Sequence, residues 1–183
     1  MSDPVASRTG SCQCGAVQVR IQGKPIELHL CHCTSCQKLT GSVFASFVTV
    51  KDEQLTITVK SGFDEESTLK KYADSSAQSG SAVQRTFCGY CGSPILNRNE
   101  MMPTMPVVHL GILEPYPMSE DGAVGTEGQQ GVDLAWTMKP AIEYWCIRKR
   151  KWVGETGAEL VFKRQPEPET EEFAKLMKIY GLA

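Results

Sequence analysis

The sequence lacks both a strong excess of charge of one sign and any long apolar segment. Its formal net charge is -2 over 183 residues, so the chain as a whole is not drawn to nucleic acid or to an anionic membrane. The first residues, MSDPVASRTGS, are polar and contain no signal-peptide core, and no segment reaches the ~18 apolar residues of a membrane span. We therefore expect a soluble, cytoplasmic protein with no nucleic acid and no membrane among its partners.

Signatures of nucleotide chemistry are lacking as well. The chain has no Gly-rich phosphate loop, no dinucleotide-binding fingerprint and no internal repeat. It contains three histidines, and no histidine or carboxylate stands out in the sequence as a committed general acid or base. We therefore expect any catalytic or binding chemistry of this chain to depend on another residue type.

Cysteine is that residue type. The chain has eight cysteines, and all but one of them fall in tight clusters. In a reducing compartment this pattern argues against a disulfide framework and favours metal or redox chemistry. The clusters are Cys12 and Cys14, then Cys31, Cys33 and Cys36, then Cys88 and Cys91, with Cys146 alone.

The two isolated pairs predict one structural zinc site. These residues, called the four-cysteine set below, are Cys12, Cys14, Cys88 and Cys91. A CxC or CxxC pair cannot easily close its own unstrained disulfide, but it can direct two sulfurs at one zinc, which needs four ligands in a tetrahedron. The alternatives are two reduced pairs buried as small apolar residues, or a redox CxxC at residues 88–91.

The remaining cluster predicts a second zinc with an open fourth position. It consists of Cys31, Cys33 and Cys36 and is called the three-cysteine set below. Three protein ligands and a position for water or substrate are the arrangement of catalytic zinc sites, so these cysteines are the predicted catalytic residues, as ligands. The fourth ligand could instead be Cys146, for which the pattern favours a packed, reduced core thiol. It could also be His29, which shares strand parity with Cys31, whereas His32 lies on the opposite face. For His29 the alternatives are a position behind the metal ligands or an exposed one.

The charge of such a site narrows its chemistry. Zinc with three thiolates carries a formal charge of about −1, so it is a weaker Lewis acid than zinc bound by three histidines. We therefore expect a site that accepts a substrate thiol rather than one that activates water. Lys38, close in sequence to the cluster, could offset the negative charge.

Alternation of apolar and polar residues predicts a mainly β fold. Segments with the period of half-buried strands are AVQVRI, SVFASFVTV, LTITV, VVHLGIL, AIEYWCI and AELVF. Residues 74–82 and the Gly-rich residues 120–132 have the composition of loops. The second is long for a compact domain, so it is either a lid or an insertion.

The segment PETEEFAKLMKIYGLA predicts a C-terminal helix. Thr170 is the expected N-cap, acidic residues follow it in the first turn, and Gly181 can end the helix. Its apolar stripe contains Phe173, Leu176, Met177 and Tyr180. The stripe must cover an apolar surface, which we expect on the same domain, with a homodimer contact as the alternative.

A dense basic run, residues 148–151, precedes Trp152. It predicts a surface for the carboxylates of an acidic small molecule, or for nucleic acid. A solvated strand end is the third interpretation.

The order CxC, CxCxxC, CxxC resembles the glutathione-dependent formaldehyde-activating enzyme family, which also includes centromere protein V. The matching segments are GSCQCGAVQVRI, CHCTSCQKLTGSVFASFVTV and FCGYCGSPIL, with a weaker likeness in IEYWCIRKRKWV. The resemblance implies a mainly β, Mss-four-like fold of several coiled β-sheets around zinc sites. It also implies a structural zinc on the four-cysteine set and an active-site zinc on the three-cysteine set, hence two zinc ions per chain.

The activity implied by the resemblance is reversible condensation of glutathione with formaldehyde to S-hydroxymethylglutathione. This is a carbon–sulfur lyase or synthase reaction with small-molecule thiol and aldehyde partners and glutathione as cosubstrate. We divide the chain into a flexible N-terminus (1–9), a zinc-binding formaldehyde-activating-enzyme-like domain (10–165) and a C-terminal helical extension (166–183).

Two departures from the family pattern leave alternatives open. The segment between Leu113 and Ala141 and the C-terminal helix have no counterpart in the short bacterial members, so the aldehyde or thiol could differ. The basic N-terminal extension of centromere protein V is absent, which disfavours a cytoskeletal or chromatin role. The alternatives to an enzyme are a non-catalytic carrier of glutathione or another small molecule and a zinc-stabilised interaction module.

Overall fold

Eleven strands in two sheets organise the part of the chain that the structure, a computed structural model, describes: residues 7–114 and 139–182. The strands are β1 Ser7–Ser11, β2 Val17–Gln22, β3 Glu27–Cys31, β4 Ala45–Thr49, β5 Leu55–Val59, β6 Leu69–Asp74, β7 Val83–Cys88, β8 Pro94–Asn99, β9 Val107–His109, β10 Ile142–Tyr144 and β11 Leu160–Val161. One sheet has the order β1-β2-β5, and the other has the order β11-β10-β3-β4-β9-β8-β7-β6. The predicted mainly β fold class is therefore confirmed.

The small sheet follows directly from the sequence pattern. In β2, Val17, Val19 and Ile21 are buried and the residues between them are exposed, because alternate side chains of a strand face opposite sides. Both neighbours of β2 pair with it in antiparallel register. The buried face of β2 contributes to one of two hydrophobic cores.

Strand β3 lies between both cores. All five of its residues are buried, and it pairs antiparallel with β4 and parallel with β10. Leu28 and Leu30 belong to the first core, whereas Cys31 belongs to the second, on the other side of the sheet. The alternation therefore directs His29 and Cys31 to one face, as the sequence predicts.

Two of the predicted strand segments end earlier in the structure. VVHLGIL forms a strand only over Val107–His109, and a 3-10 helix, Leu110–Ile112, follows. AIEYWCI forms a strand only over Ile142–Tyr144, because Trp145 adopts a left-handed backbone conformation (φ 60°) and Cys146–Arg148 form a 3-10 helix. Cys146 is thus outside the strand in which the sequence pattern placed it.

Three α-helices lie in the described ranges: α1 Thr34–Thr40, α2 Glu65–Thr68 and α3 Glu171–Ile179. The hydroxyl oxygen of Thr170 accepts a hydrogen bond from the amide of Phe173, which makes Thr170 the N-cap of α3. Leu176 is buried in the second core. The apolar stripe therefore packs on its own domain, in the way that the sequence favoured.

The predicted boundary of the flexible N-terminus needs a correction. Residues 7–9, predicted to belong to a flexible N-terminus, pair with β2 as part of β1. The predicted loop at residues 120–132 lies outside the described residues. No helix in residues 7–114 or 139–182 is long and apolar enough to cross a membrane.

Candidate metal centres and active site

The four-cysteine set comes together from two distant hairpin turns. Cys12 and Cys14 follow β1, whereas Cys88 ends β7 and Cys91 lies in the turn to β8. All four sulfurs lie within 4.8 Å of one another, with Sγ–Sγ distances of 3.5 Å between Cys12 and Cys14 and 3.7 Å between Cys14 and Cys88. These distances are far too long for a disulfide and match the ~3.8 Å edge of a tetrahedron of sulfurs 2.3 Å from a zinc.

Local hydrogen bonds stabilise the sulfurs of two of these four cysteines, Cys12 and Cys91. The amide of Val17 donates a hydrogen bond to Sγ of Cys12 (3.2 Å). Burial raises the pKa of Cys91, but the hydroxyl and amide of Ser93 lower it more, to about 6. The turn also requires glycine: Gly92 has φ +73°, and a Cβ on Gly89 would lie 2.0 Å from the carbonyl oxygen of Ser67.

The three-cysteine set is built at the junction of β3 and α1. Cys31 ends β3, Cys33 is the N-cap of α1 and Cys36 lies in its first turn. The three sulfurs lie within 4.8 Å of one another, and the amide of Cys36 donates to Sγ of Cys33 (3.3 Å). Hydrogen bonds from the thiols of Cys31 and Cys36 lower the pKa of Cys33 to about 3. Cys33 is therefore the first of the three to form a thiolate.

No fourth protein ligand completes this set within the described residues. Neither Cys146 nor His29 shares the cluster in which the three sulfurs lie within 4.8 Å of one another. Cys146 instead lies in a separate buried group with His32 and Glu143. Its thiol donates to the carbonyl oxygen of Glu143 (3.5 Å), and burial raises its pKa to about 11. These contacts are those of a packed thiol.

His32, which the sequence pattern did not favour as a zinc ligand, stabilises the segment that carries the three-cysteine set. Its ring is fully buried, and its Nε2 lies 2.7 Å from Oε1 of Glu143. Its backbone amide donates to the carbonyl oxygen of Tyr144 (3.0 Å). Lys149 Nζ also binds Glu143 (3.0 Å), so this buried group already contains a positive charge. The bonds of His32 hold the Cys31–Cys33 segment against β10.

A cavity of about 290 Å³ opens directly onto the three-cysteine set. The walls are mostly apolar and include four methionines, Met101, Met102, Met105 and Met177. Helix α3 forms one wall through its apolar stripe. A cavity of this size and lining suits one small organic ligand with a few polar groups.

The cation that faces this cavity is Arg85 rather than Lys38. Lys38 is exposed and is not among the residues that line the cavity. Arg85, on β7, lines it and is held by Asp74 through two hydrogen bonds of 2.9 and 2.7 Å. The hydrogen bond to Cys31 and the positive charge of Arg85 lower the pKa of Cys36. The hydrogen bond to Cys33 and burial raise it by more, so the pKa of Cys36 rises to about 12. The expectation for Lys38 was therefore wrong.

The sequence indicated His29 only as a possible zinc ligand, whereas the structure pairs it with the buried Glu27. The Nδ1 atom of His29 lies 2.8 Å from Oε1 of Glu27, and the hydroxyl of Thr49 donates to the same carboxylate oxygen. His29 lines the cavity, so its Nε2 is the ring nitrogen left for a ligand. Nearby, the hydroxyl groups of Tyr144 and Tyr180 lie 3.2 Å apart. The alternation in β3 was the only sequence signal for this pair.

Both cysteine sets have the chemistry that zinc requires. Each set gathers thiols that are free of disulfides, at mutual distances that one tetrahedral ion can span. The four-cysteine set would form a closed site. The three-cysteine set would leave one position facing the cavity.

Comparison with known proteins gives a family for this arrangement. A crystal structure of a Rhodobacter sphaeroides protein is similar at 20% sequence identity with a TM-score of 0.43, over 63% of this chain and 96% of that chain. The family model of the glutathione-dependent formaldehyde-activating enzymes matches residues 7–125, which is more than half of the chain and includes both cysteine sets. The chain therefore belongs to the glutathione-dependent formaldehyde-activating enzyme family.

Proposed function

We propose that this protein is a zinc-dependent carbon–sulfur lyase or synthase that joins glutathione and formaldehyde reversibly into S-(hydroxymethyl)glutathione, or acts on a related thiol and aldehyde. Its family activates formaldehyde with glutathione. The observation that carries the proposal is the three-cysteine set, which faces a cavity and lacks a fourth protein ligand among the described residues. The free state of all eight thiols suits a reducing compartment such as the cytoplasm.

Cys31, Cys33 and Cys36 would hold the active-site zinc, and the four-cysteine set would hold the structural one. A zinc ion bound by three thiolates supplies a weak Lewis acid and a position at which a substrate thiol loses its proton more readily. The amide of Cys36, which donates to Sγ of Cys33, would keep this ligand in place. Other groups in the cavity would transfer the proton and stabilise the developing negative charge.

The reaction needs one proton to change place. In the condensation, the thiol sulfur forms a bond to the aldehyde carbon, the C=O π bond breaks, and the thiol proton ends on the former carbonyl oxygen. His29 would carry this proton. Glu27, which itself accepts a hydrogen bond from Thr49, fixes the His29 ring through Nδ1 and leaves Nε2 for a ligand in the cavity. General acid–base catalysis by such a group contributes about 10²- to 10⁴-fold.

The two tyrosines can stabilise the oxygen on which negative charge develops. Burial raises the pKa of Tyr144 and of Tyr180 well above the usual range of a phenol, so both hydroxyls keep their protons. Tyr144 and Tyr180 also line the cavity. A protonated hydroxyl in a largely apolar cavity is a strong donor to an oxyanion, and the apolar walls exclude the water that would compete.

Exchange spectroscopy by NMR on glutathione and formaldehyde tests the proposal. We expect the zinc-loaded protein to accelerate interconversion, Cys33→Ser to abolish the acceleration, and His29→Asn to reduce it by two orders of magnitude or more. Lys38→Ala, which changes an exposed residue outside the cavity, is the matched control and should behave as wild type. Equal exchange rates with and without protein would refute the reaction, and binding of glutathione without acceleration would identify a carrier.

A further inference from the structure

We propose that Arg148 and Arg164 form an anion-binding subsite at the mouth of the active-site cavity, and that this subsite binds a carboxylate of the substrate thiol. This inference rests on the proposed function, since it concerns the thiol that reacts at the three-cysteine set. The nearby basic run predicted an acidic ligand, but it included only one of these two arginines.

The subsite is continuous with the cavity. Arg148 and Arg164 line a second pocket together with Gln78, Trp145 and Ile147, and both Gln78 and Trp145 also line the cavity at the three-cysteine set. Oε1 of Gln78 accepts a hydrogen bond from the amide of Thr34 (3.0 Å), the residue that follows Cys33. One side chain thus connects the loop of a reactive thiol to the pocket of the two arginines.

Backbone hydrogen bonds join the two segments that carry these arginines. The amide of Cys146 donates to the carbonyl oxygen of Phe162 (3.0 Å), and the amide of Ile147 donates to that of Lys163 (3.2 Å). The next residue on each side is an arginine. The pairing of these two segments therefore places two guanidinium groups on one pocket, although sixteen positions separate them in the sequence.

The guanidinium groups of Arg148 and Arg164 are not paired with a carboxylate in the described part of the chain, residues 7–114 and 139–182. The guanidinium of Arg148 lies over the ring of Trp145, 5.9 Å from its centroid. By contrast, Arg85 inside the cavity is engaged by Asp74. A substrate carboxylate would therefore bind to Arg148 and Arg164 at the mouth, because a planar guanidinium group can donate two parallel hydrogen bonds to a carboxylate.

The backbone of Trp145 supports the same interpretation. Its φ of 60° is a conformation that non-glycine residues rarely adopt, and such residues concentrate at binding sites. Here the conformation ends β10 and sets the indole between the cavity and the arginine pocket. The substrate would pass this ring with its thiol toward Cys33 and its carboxylate toward the arginines.

Calorimetric binding of glutathione and of its dimethyl ester to zinc-loaded protein, without formaldehyde, tests the subsite. We expect wild type to bind glutathione at least tenfold more tightly than the ester. Arg148→Gln with Arg164→Gln should remove this preference. Arg150→Gln changes an exposed residue of the same basic run that lies outside both pockets, and it should retain the preference. Circular dichroism confirms that the variants fold.

Equal affinity of wild type for glutathione and its ester, or an undiminished preference in the double variant, would overturn the subsite. Because the measurement contains no aldehyde, it is independent of catalysis. A preference that depends on the arginines would stand even if exchange were not accelerated, in which case the proposed reaction alone would fail.

Discussion

Replacing Leu176 by alanine should loosen α3 from the wall of the active-site cavity. Leu176 is 2% exposed and packs in the second core, on the same side of the sheet as the three-cysteine set. Truncation of a buried leucine costs about 2–5 kcal/mol, because contacts are lost and a cavity is left behind. A helix of nine residues is marginal without packing, so this loss falls mainly on docking of the helix.

Hydrogen exchange of the amides in α3 measures this loss of docking free energy. A loss of about 2 kcal/mol raises the population of the undocked helix up to roughly thirtyfold. We expect hydrogen exchange of the amides in α3 to accelerate by this factor, while amides of β3 and β4 keep most of their protection. Affinity for glutathione should fall as well, because the apolar stripe of α3 lines the cavity.

Lys175→Ala is the matched control, since Lys175 is an exposed neighbour on the same helix and such changes stay within about 0.5 kcal/mol. If Leu176→Ala left exchange in α3 at the level of Lys175→Ala, the helix would not depend on this contact, and its role as a cavity wall would be refuted.

Three further predictions concern other parts of the molecule. Cys12→Ser should lower the zinc content by one ion and destabilise the fold, because structural zinc sites contribute directly to folding; metal analysis with thermal unfolding checks this, and unchanged values would contradict it. Burial, then the charge of Arg85, lowers the pKa of His109 from 6.5 to about 4, so the unfolded state binds more protons between these values. The free energy of unfolding should therefore fall by on the order of 3 kcal/mol as the pH drops from about 6.5 to 4; His109→Gln should flatten this part of the profile in urea titrations, and an identical slope would refute the assignment. Asp74→Asn should destabilise by about 3–5 kcal/mol in the same titrations, because it leaves the buried Arg85 charge unpaired, and a change under 1 kcal/mol would argue against that pair.

Local patterns predicted much of the fold. Strict alternation predicted β2 and β5, and the capping residue Thr170 predicted the start of α3, since both signals depend on neighbours in the chain. Strands β6, β7 and β8 were not predicted, because their burial patterns lack clear alternation. The short helix α1 was also missed, since the cysteines at its start mask the helical period.

Spacing also predicted which cysteines come together, but not what surrounds them. The pairing of His32 with Glu143 joins residues 111 positions apart, and Arg85 reaches the cavity from a strand on the far part of the sheet. Such contacts arise from strand order, which local periodicity does not encode. Cys146 was a plausible ligand by residue type alone, and its position in the 3-10 helix after Trp145 assigns it to a different cluster.

The number of zinc ions per folded chain, measured by mass spectrometry of the native protein and by metal analysis, tests most directly whether the three-cysteine set is an open metal site. We expect two zinc ions in wild type and in Cys146→Ala, and one in Cys33→Ser. A single zinc in wild type, or loss of one zinc on replacing Cys146, would contradict an open site at Cys31, Cys33 and Cys36.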